Sequence, residues 1–389
     1  MKRVAVLGGG PAGAFAAERL SAAGIPTVIL DEKLAWEKPC GGGLTYKAYS
    51  RYPFLLDNDT PKRFVRETML AAGGGGQARL SLRQPLLIYS RIDLNRMFLD
   101  RAARAGVQIE KARVLEAARG NSGWKIRTSA GTLDADFCVV ATGARNPLRN
   151  VGTHWTPSDT MIALGYYVEA QQEHIDIQFL PHLEGYIWIF PRCGHLSVGI
   201  CGKRVPAQQL RARLESFMSE RGIGWKGARF YSHVLPSLGT SSWQNNRVAG
   251  PGWVAVGDAG GFVDPITGEG LYYAIRSADL ASQAILADTE ETQQSYRSLL
   301  DHDFTGDLAF GASIARRLFL GRFLFGSVPE RMVQFARRSP RFYDLMQDLF
   351  AGTQSYLGLR GRIFRNLHGT VLDTFMNFLL SREIANEIE

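Results

Sequence analysis

The chain has 389 residues, 45% of them hydrophobic and 21% charged, ordinary globular values that exclude an intrinsically disordered or fibrous protein. Its formal charge of +8 and pI near 9.4 admit nucleic acid or an anionic membrane surface as partner. No run approaches the ~18 uninterrupted apolar residues of a membrane-spanning helix, and the length calls for two or three domains rather than one core.

Residues 3–7 read as a buried parallel strand, 11–23 as a helix with Pro11 in its first turn, and 27–30 as a second strand. The opening Met1-Lys2-Arg3 and the alanines behind it superficially resemble a leader. Glu18 and Arg19 interrupt that run, and strand, glycine turn and helix account for it better. Residues 67–72 and 78–89 alternate as strands of a second, antiparallel layer. A helix is expected over 93–105, a strand over 107–109, and a meander of short strands over 113–136. That meander leads into a buried strand, 137–140, ending in Ala141-Thr142-Gly143. From 155 to 240 the pattern is mostly antiparallel strand, with one helix near 207–220. A short strand at 253–256, then Gly257-Asp258-Ala259 and a helix over 270–287, return the chain to its first domain. Everything after 291 reads as helical and rich in Phe, Leu and Arg.

The charge excess is local. Between Arg316 and Arg365 there are ten arginines (316, 317, 322, 331, 337, 338, 341, 360, 362, 365) against Glu330, Asp344 and Asp348. No helix-turn-helix, zinc finger or aromatic RNA-binding sheet accompanies them, so nucleic acid is not the expected partner. The same stretch carries Phe304, Phe310, residues 318–320 and 323–325, Phe335, Phe342, Leu349, Phe350 and the apolar run 375–380. Its interleaved arginines suit phosphate or lipid headgroups and peripheral membrane contact. A helical lobe with a solvated basic face is the plainer reading. Cys40, Cys138, Cys193 and Cys201 have no CxxC spacing and no partnering histidines. Neither a metal site nor a disulfide framework is expected, and a reducing, cytoplasmic setting fits.

In Val4-Ala-Val-Leu-Gly8-Gly-Gly10-Pro11-Ala12-Gly13 the first glycine makes a turn, the second lets backbone approach a pyrophosphate, and the third permits close helix–strand packing. The helix start adds free N–H groups and a positive dipole end. Asp31, followed by Glu32 and Lys33, ends the second strand, where an acidic side chain accepts hydrogen bonds from ribose hydroxyls. Downstream, Gly257-Asp258 follows a buried strand, and Pro265-Ile-Thr-Gly268-Glu269-Gly270 opens the next helix. An aspartate there can hold ribityl or pyrophosphate-side hydroxyls, and a helix start aimed at a flavin stabilises its reduced anion, so FAD is preferred to NAD. The alternative for Asp258 is a plain helix cap. The expected fold is α/β: a Rossmann-type FAD-binding domain (1–50, 91–154 and 241–290), an antiparallel β-sheet substrate or cap domain (51–90 and 155–240), and a helical C-terminal region (291–389).

These segments together resemble the geranylgeranyl reductase family of FAD-dependent oxidoreductases, within the wider para-hydroxybenzoate hydroxylase-like group. The resemblance rests on the fingerprint through Asp31-Glu32-Lys33, on Lys38-Pro-Cys40-Gly41-Gly42-Gly43-Leu44, on Gly185-Tyr186-Ile-Trp188-Ile-Phe190-Pro191 with Gly199 beyond it, and on Gly257-Asp258-Ala259 through Gly270. It covers residues 1 to about 285, and its second and third motifs are the more particular to the reductases. Where the family's aromatic motif is followed by Gly-x-Gly, this chain has Gly199-Ile-Cys201 and then Gly202. The resemblance implies that Arg91 lies near the FAD phosphates or ribose and that the Val114 backbone lies at the adenine. It implies Ala141-Thr142-Gly143 and Gly41 to Gly43 as further cofactor contacts. Flavin-dependent halogenases share the scaffold but carry Trp-x-Trp-x-Ile-Pro, which the segment from Tyr186 to Pro191 matches only in part.

The implied reaction is saturation of C=C bonds in a prenyl lipid or diphosphate, with hydride from reduced flavin and a proton from an acid. Electrons come from NAD(P)H bound transiently, since no second dinucleotide fingerprint is present, or from ferredoxin or another redox partner. An isolated alkene resists hydride unless it is protonated toward a tertiary cation. Tyr186, Trp188 and Phe190, on one face of a strand, can present π-faces to that charge. An aromatic core strip is the plainer reading of the three. Cys40 reads as a pocket residue or proton relay, or as a small buried thiol beside a turn. The rival activities are a flavin-dependent monooxygenase, which consumes oxygen in step with product, and a non-catalytic lipid-binding flavoprotein.

Overall fold

The computed structural model describes residues 3–120, 123–148, 151–287, 291–359 and 361–362. Arg360, Arg365 and the apolar run 375–380 of the sequence reading lie outside them. The chain forms two compact units, 1–40, 90–161 and 233–312 in the first, 41–89, 162–232 and 313–389 in the second. The stretch after 291 is therefore shared between the two units.

The first unit is built on a six-stranded sheet. Its order is Ala249–Gly250, Trp253–Ala255, Phe137–Val140, Val4–Leu7, Thr27–Asp31, Gln108–Lys111, parallel except at the Ala249–Gly250 edge. Alternation along these strands sends Ala5, Leu7, Val28, Leu30, Cys138, Val140 and Ala255 to one face. There they pack on Trp124, Ile126 and Ala135 of the three-stranded meander Val114–Gly120, Gly123–Thr128, Gly131–Ala135. Helix Pro11–Ala22 packs against both Leu271–Leu286 and Arg91–Arg104, with Phe15 edge-on to Phe98 at 6.2 Å. Strand order reverses direction between Val4–Leu7 and Phe137–Val140, and the crevice beyond the carboxyl ends at such a switch point is where doubly wound sheets bind ligands.

The helix expected from 93 begins earlier, at Arg91. Its first N–H groups, those of Arg91 and Ile92, donate to the Glu37 carboxylate at 3.0 and 3.1 Å. That cap comes from far along the chain and leaves no local signature.

The second unit holds an eight-stranded sheet in the order Arg229–Pro236, Thr160–Val168, Leu196–Gly202, Tyr186–Pro191, Ile175–Phe179, Lys62–Ala72, Gly76–Tyr89, Gly43–Leu44. From Thr160–Val168 to Gly43–Leu44 the neighbouring strands pair antiparallel as expected, except Ile175–Phe179 with Lys62–Ala72, which is parallel. These two strands come from segments separated by much of the first unit, so no hairpin dictates their direction. Helix Ala207–Glu220 covers one face through Leu210, Leu214, Phe217 and Met218 against Leu164, Ile187, Ile189 and Val198. Helices Val328–Arg338 and Pro340–Ala351 cover another part through Val333, Ala336 and Met346, against Val65, Leu80 and Ile88. One segment expected to be helical is not: Gly321 ends helix Gly306–Leu320, and Arg322–Phe323 pairs with Gly326–Ser327 as a short hairpin.

Candidate cofactor site

The carboxyl edge of the first unit's sheet gathers Gly8, Asp31, Ala141 and, just past Trp253–Ala255, Gly257-Asp258. The three fingerprint glycines have different physical reasons. A Cβ on Gly8 would lie 2.3 Å from the Ala141 carbonyl oxygen, and one on Gly13 would lie 2.0 Å from the Gly8 carbonyl oxygen. Those two are imposed by the fold itself. A Cβ on Gly10 would meet nothing within 4 Å, and its φ of −70° suits any residue. Gly10 is the N-cap of helix Pro11–Ala22 and offers no side-chain cap, so open space faces the helix start where N–H groups of the first turn lack intrahelical acceptors.

Asp31 orders this loop. Its carboxylate accepts from Gly9 N at 2.7 Å and from Lys33 N and Leu34 N at 2.7 and 2.6 Å. Two carboxylate oxygens offer about four lone-pair positions, so one remains for a hydroxyl. Glu32 faces Arg113 at 3.7 Å, and the Lys33 ammonium lies over the Trp36 ring at 4.3 Å; Glu32 and Lys33 are both exposed. Val114 is half-buried opposite Thr128. The Thr142 hydroxyl reaches Asn146 at 3.5 Å, while Ala141 N donates to Leu7 O at 2.9 Å.

Arg91 is 4% exposed. Its guanidinium donates to Asn95 Oδ1 at 3.2 Å, its Nε is buried with no hydrogen-bond partner, and among the described residues no carboxylate pairs with it. A buried cation without a counter-ion is costly unless an anion completes it. A cofactor phosphate is such an anion, and together with the open space at Gly10 it makes the site fit a dinucleotide pyrophosphate.

Lys38 and Asp258 form an ion pair at 2.9 Å, both largely buried. Burial works to raise the Asp258 carboxyl, but the Lys38 ammonium, its hydrogen bond and the Arg91 charge together hold it below its ordinary value. His233 sits in the same field, its Nε2 buried and unpartnered. Burial, then the charges of Lys38, Arg91 and Arg145, push its imidazole down to about 4 against the counter-effect of Asp258. It is therefore neutral at physiological pH, a hydrogen-bonding group rather than a third cation.

Gly257 N donates to Ser277 Oγ at 2.9 Å. Pro265 is buried, and the loop that carries it is closed by Asp264, whose Oδ1 accepts from Ile266 N and Thr267 N at 2.8 and 2.9 Å. Gly268 N donates to the Asp264 carbonyl at 3.0 Å, and Glu269 O accepts from Asp264 N at 2.9 Å. Gly270 then caps helix Leu271–Leu286 without a side chain, with Asp258 Oδ1 only 3.4 Å from where its Cβ would stand.

In the second unit the two reductase-type motifs meet. The Phe190 ring occupies the space that side chains on Gly41 and Gly43 would need, at 3.2 and 3.0 Å. Those glycines are thus explained by a ring packed on bare backbone, where the sequence suggested close approach of the flavin. Ile187 and Ile189 join the core under helix Ala207–Glu220, leaving Tyr186, Trp188 and Phe190 on the opposite face of the strand. Tyr186 and Phe190 are half-buried, and Tyr186 is edge-on to Trp188 at 6.2 Å. Trp188 is only 6% exposed, with Nε1 3.5 Å from Ser197 Oγ and its indole so close that a Cβ on Gly199 would lie 2.3 Å from it. Gly199→Ala is therefore expected to lower stability by about 1–3 kcal/mol, read as a lower midpoint in urea. Strand Leu196–Gly202 is regular through Gly199-Ile-Cys201-Gly202, and burial pushes the Cys201 thiol up to about 12. Cys40, the last residue of the first unit, is half-buried.

Glu37, Asn95, His233 and Asp264 are not among the site residues expected from the sequence. Glu37 and Lys38 adjoin the Cys-Gly-Gly-Gly motif and had a local cue; His233 had none. Among the described residues no group of His, Cys, Asp and Glu is arranged to hold a metal. No described helix is long and apolar enough to cross a membrane.

No family model matches the chain. It is 28% identical over 323 residues to the chloroplastic geranylgeranyl diphosphate reductase of Oryza sativa subsp. japonica, an alignment covering 73% of this chain and 66% of the rice enzyme. It is 29% identical over 350 residues to the menaquinone reductase of Mycobacterium tuberculosis, covering 82% of this chain and 83% of that one. A geranylgeranyl bacteriochlorophyll reductase-like structure from Thermoplasma acidophilum superposes with a TM-score of 0.77 at 21% identity, covering 94% of this chain and 98% of that one. At that identity the superposition speaks for the fold. With the glycine turn, the acid at the second strand and the Gly-Asp segment in place, the chain is an FAD-dependent oxidoreductase similar to the geranylgeranyl reductases.

Proposed function

We propose that the protein saturates C=C bonds of a prenyl lipid or prenyl diphosphate. The observation that carries this reading is the aromatic face of strand Tyr186–Pro191, in a chain whose relatives include proteins named geranylgeranyl diphosphate reductase and menaquinone reductase. Gly10, the helix start behind it, Asp31 and Arg91 would hold the adenosine and pyrophosphate of FAD. Asp258, kept ionised by Lys38, would accept from cofactor hydroxyls. Bound and reduced, the cofactor supplies the hydride. Tyr186 and Phe190 offer ring faces to an apolar substrate and to cationic character at the alkene carbon, while Trp188 braces them. NAD(P)H or a ferredoxin-type carrier would supply the electrons.

Trp188→Leu, which removes the ring packed against Tyr186, is expected to slow prenyl reduction about tenfold, or ~1.4 kcal/mol at the transition state, and to leave flavin reduction by dithionite unchanged. The reading itself is tested by reducing the FAD-loaded protein anaerobically and adding geranylgeranyl diphosphate. Flavin reoxidation without oxygen, with product heavier by H2, supports it. Reoxidation only on admitting oxygen would point instead to the monooxygenase chemistry that shares this scaffold, and no product under either condition to a binding protein.

A further inference from the structure

The hairpin Arg322–Phe323 and Gly326–Ser327 turns through Leu324 and Phe325, whose φ angles are 45° and 63°. A two-residue turn with both central residues at positive φ favours Asn-Gly, and bulky side chains there are strained. Despite that, Phe325 is 99% exposed and Leu324 45% exposed, with Leu320 and Phe323 beside them also open to solvent. The chain therefore holds two large apolar side chains in an unfavourable backbone conformation, leaving Phe325 wholly and Leu324 nearly half in solvent.

The hairpin is not loose. Phe323 stacks edge-on to Phe335 at 6.4 Å, Arg331 Nε donates to the Phe323 carbonyl at 3.3 Å, and Val328 N donates to Gly321 O at 3.0 Å. The helix behind it is fixed by a capping box between Ser327 and Glu330, and Glu330 also accepts from Gly74 N at 3.0 Å. Arg316 and Arg317, near the end of the helix that leads into the hairpin, and Arg322, on the hairpin itself, are all exposed. Among the described residues none of these three makes an ion pair.

We propose that this hairpin is a membrane-docking device: Leu324 and Phe325 insert between the headgroups of an anionic lipid surface, while Arg316, Arg317 and Arg322 pair with lipid phosphates. An exposed apolar tip on a segment with three exposed arginines matches the boundary between acyl chains and anionic headgroups, and a bilayer demands no shape complement from its partner. This does not depend on which reaction the protein catalyses.

The test uses the full chain with vesicles of phosphatidylglycerol and phosphatidylcholine in equal parts, and with phosphatidylcholine alone, at low salt and at ~0.15 M. The wild type is expected to sediment with the anionic vesicles, more weakly as salt rises. The double variant Leu324→Asn, Phe325→Gly suits the turn, so its Tm should equal or exceed the wild type's while its vesicle affinity falls about tenfold or more. Arg316→Gln, Arg317→Gln, Arg322→Gln should remove most of the salt dependence. Failure of the wild type to bind anionic vesicles at low salt would overturn the proposal, as would equal binding by the Leu324/Phe325 variant. A dimer of the wild type that the same variant dissociates would overturn it in favour of contact with a second copy.

Discussion

Alanine at position 10 is expected to weaken FAD binding by about tenfold or more while the flavin-free protein keeps its stability to within about 1 kcal/mol. The backbone at Gly10 is ordinary, with φ at −70°, and no protein atom lies within 4 Å of the added methyl. What the methyl obstructs is the approach of a ligand to the helix start. Gly13→Ala should behave in the opposite way. Its Cβ would lie 2.0 Å from the Gly8 carbonyl oxygen and 3.0 Å from Ala141 Cβ, and the clash is with backbone that cannot step aside. A loss of about 3 kcal/mol or more is expected, seen in urea denaturation of the apoprotein. Only a cofactor site predicts that the two neighbouring glycines part company in this way.

The second large effect is at the buried ion pair. Lys38→Met leaves the Asp258 carboxylate, 16% exposed, without the cation that holds it ionised, and should cost ~2–4 kcal/mol near neutral pH. The same substitution removes one of the charges that hold the His233 imidazole down, so His233 should titrate closer to 6.5, visible in its ring proton shifts. The sign of the pH dependence follows. In the wild type the imidazole stays neutral down to about 4, whereas in the unfolded chain it takes up a proton near 6.5. Stability contributed by the neutral imidazole is therefore complete above 6.5 and is lost as pH falls from 6.5 toward 4. Lys38→Met should narrow that window. Further loss is expected below the ordinary carboxylate range, where Asp258, lowered by Lys38, finally protonates.

What was legible in the sequence was chemistry confined to short segments. Gly8 and Gly13 sit on one turn with a strand before and a helix after, so spacing alone predicted the turn and the close helix–strand approach, and Asp31 followed at the end of the next strand. The alternation in Tyr186-Ile-Trp188-Ile-Phe190 correctly separated two faces. Joining Lys38 to Asp258 across 220 positions, with His233 in their field, was beyond reach because no local pattern marks a residue whose role is set by distant charges. Gly41 and Gly43 show a different limit: a glycine run signals close approach but not by what, and here the approaching group is Phe190. The hairpin at 322–327 escaped because Leu324-Phe325 violates the turn preferences by which hairpins are recognised. A departure from local rules of this kind is where function is to be sought.

The measurement that bears most directly on the account is titration of FAD into the flavin-free protein carrying Arg91→Met, beside the wild type. Arg91 is buried with an unpartnered Nε and no counter-ion among the described residues, so an apolar side chain of similar reach should leave the Tm of the flavin-free protein unchanged or raise it. Losing a charge-assisted bond to phosphate, worth ~1.5–3 kcal/mol, should raise the FAD Kd by roughly 10- to 150-fold. An unchanged Kd in a folded Arg91→Met protein would contradict the account.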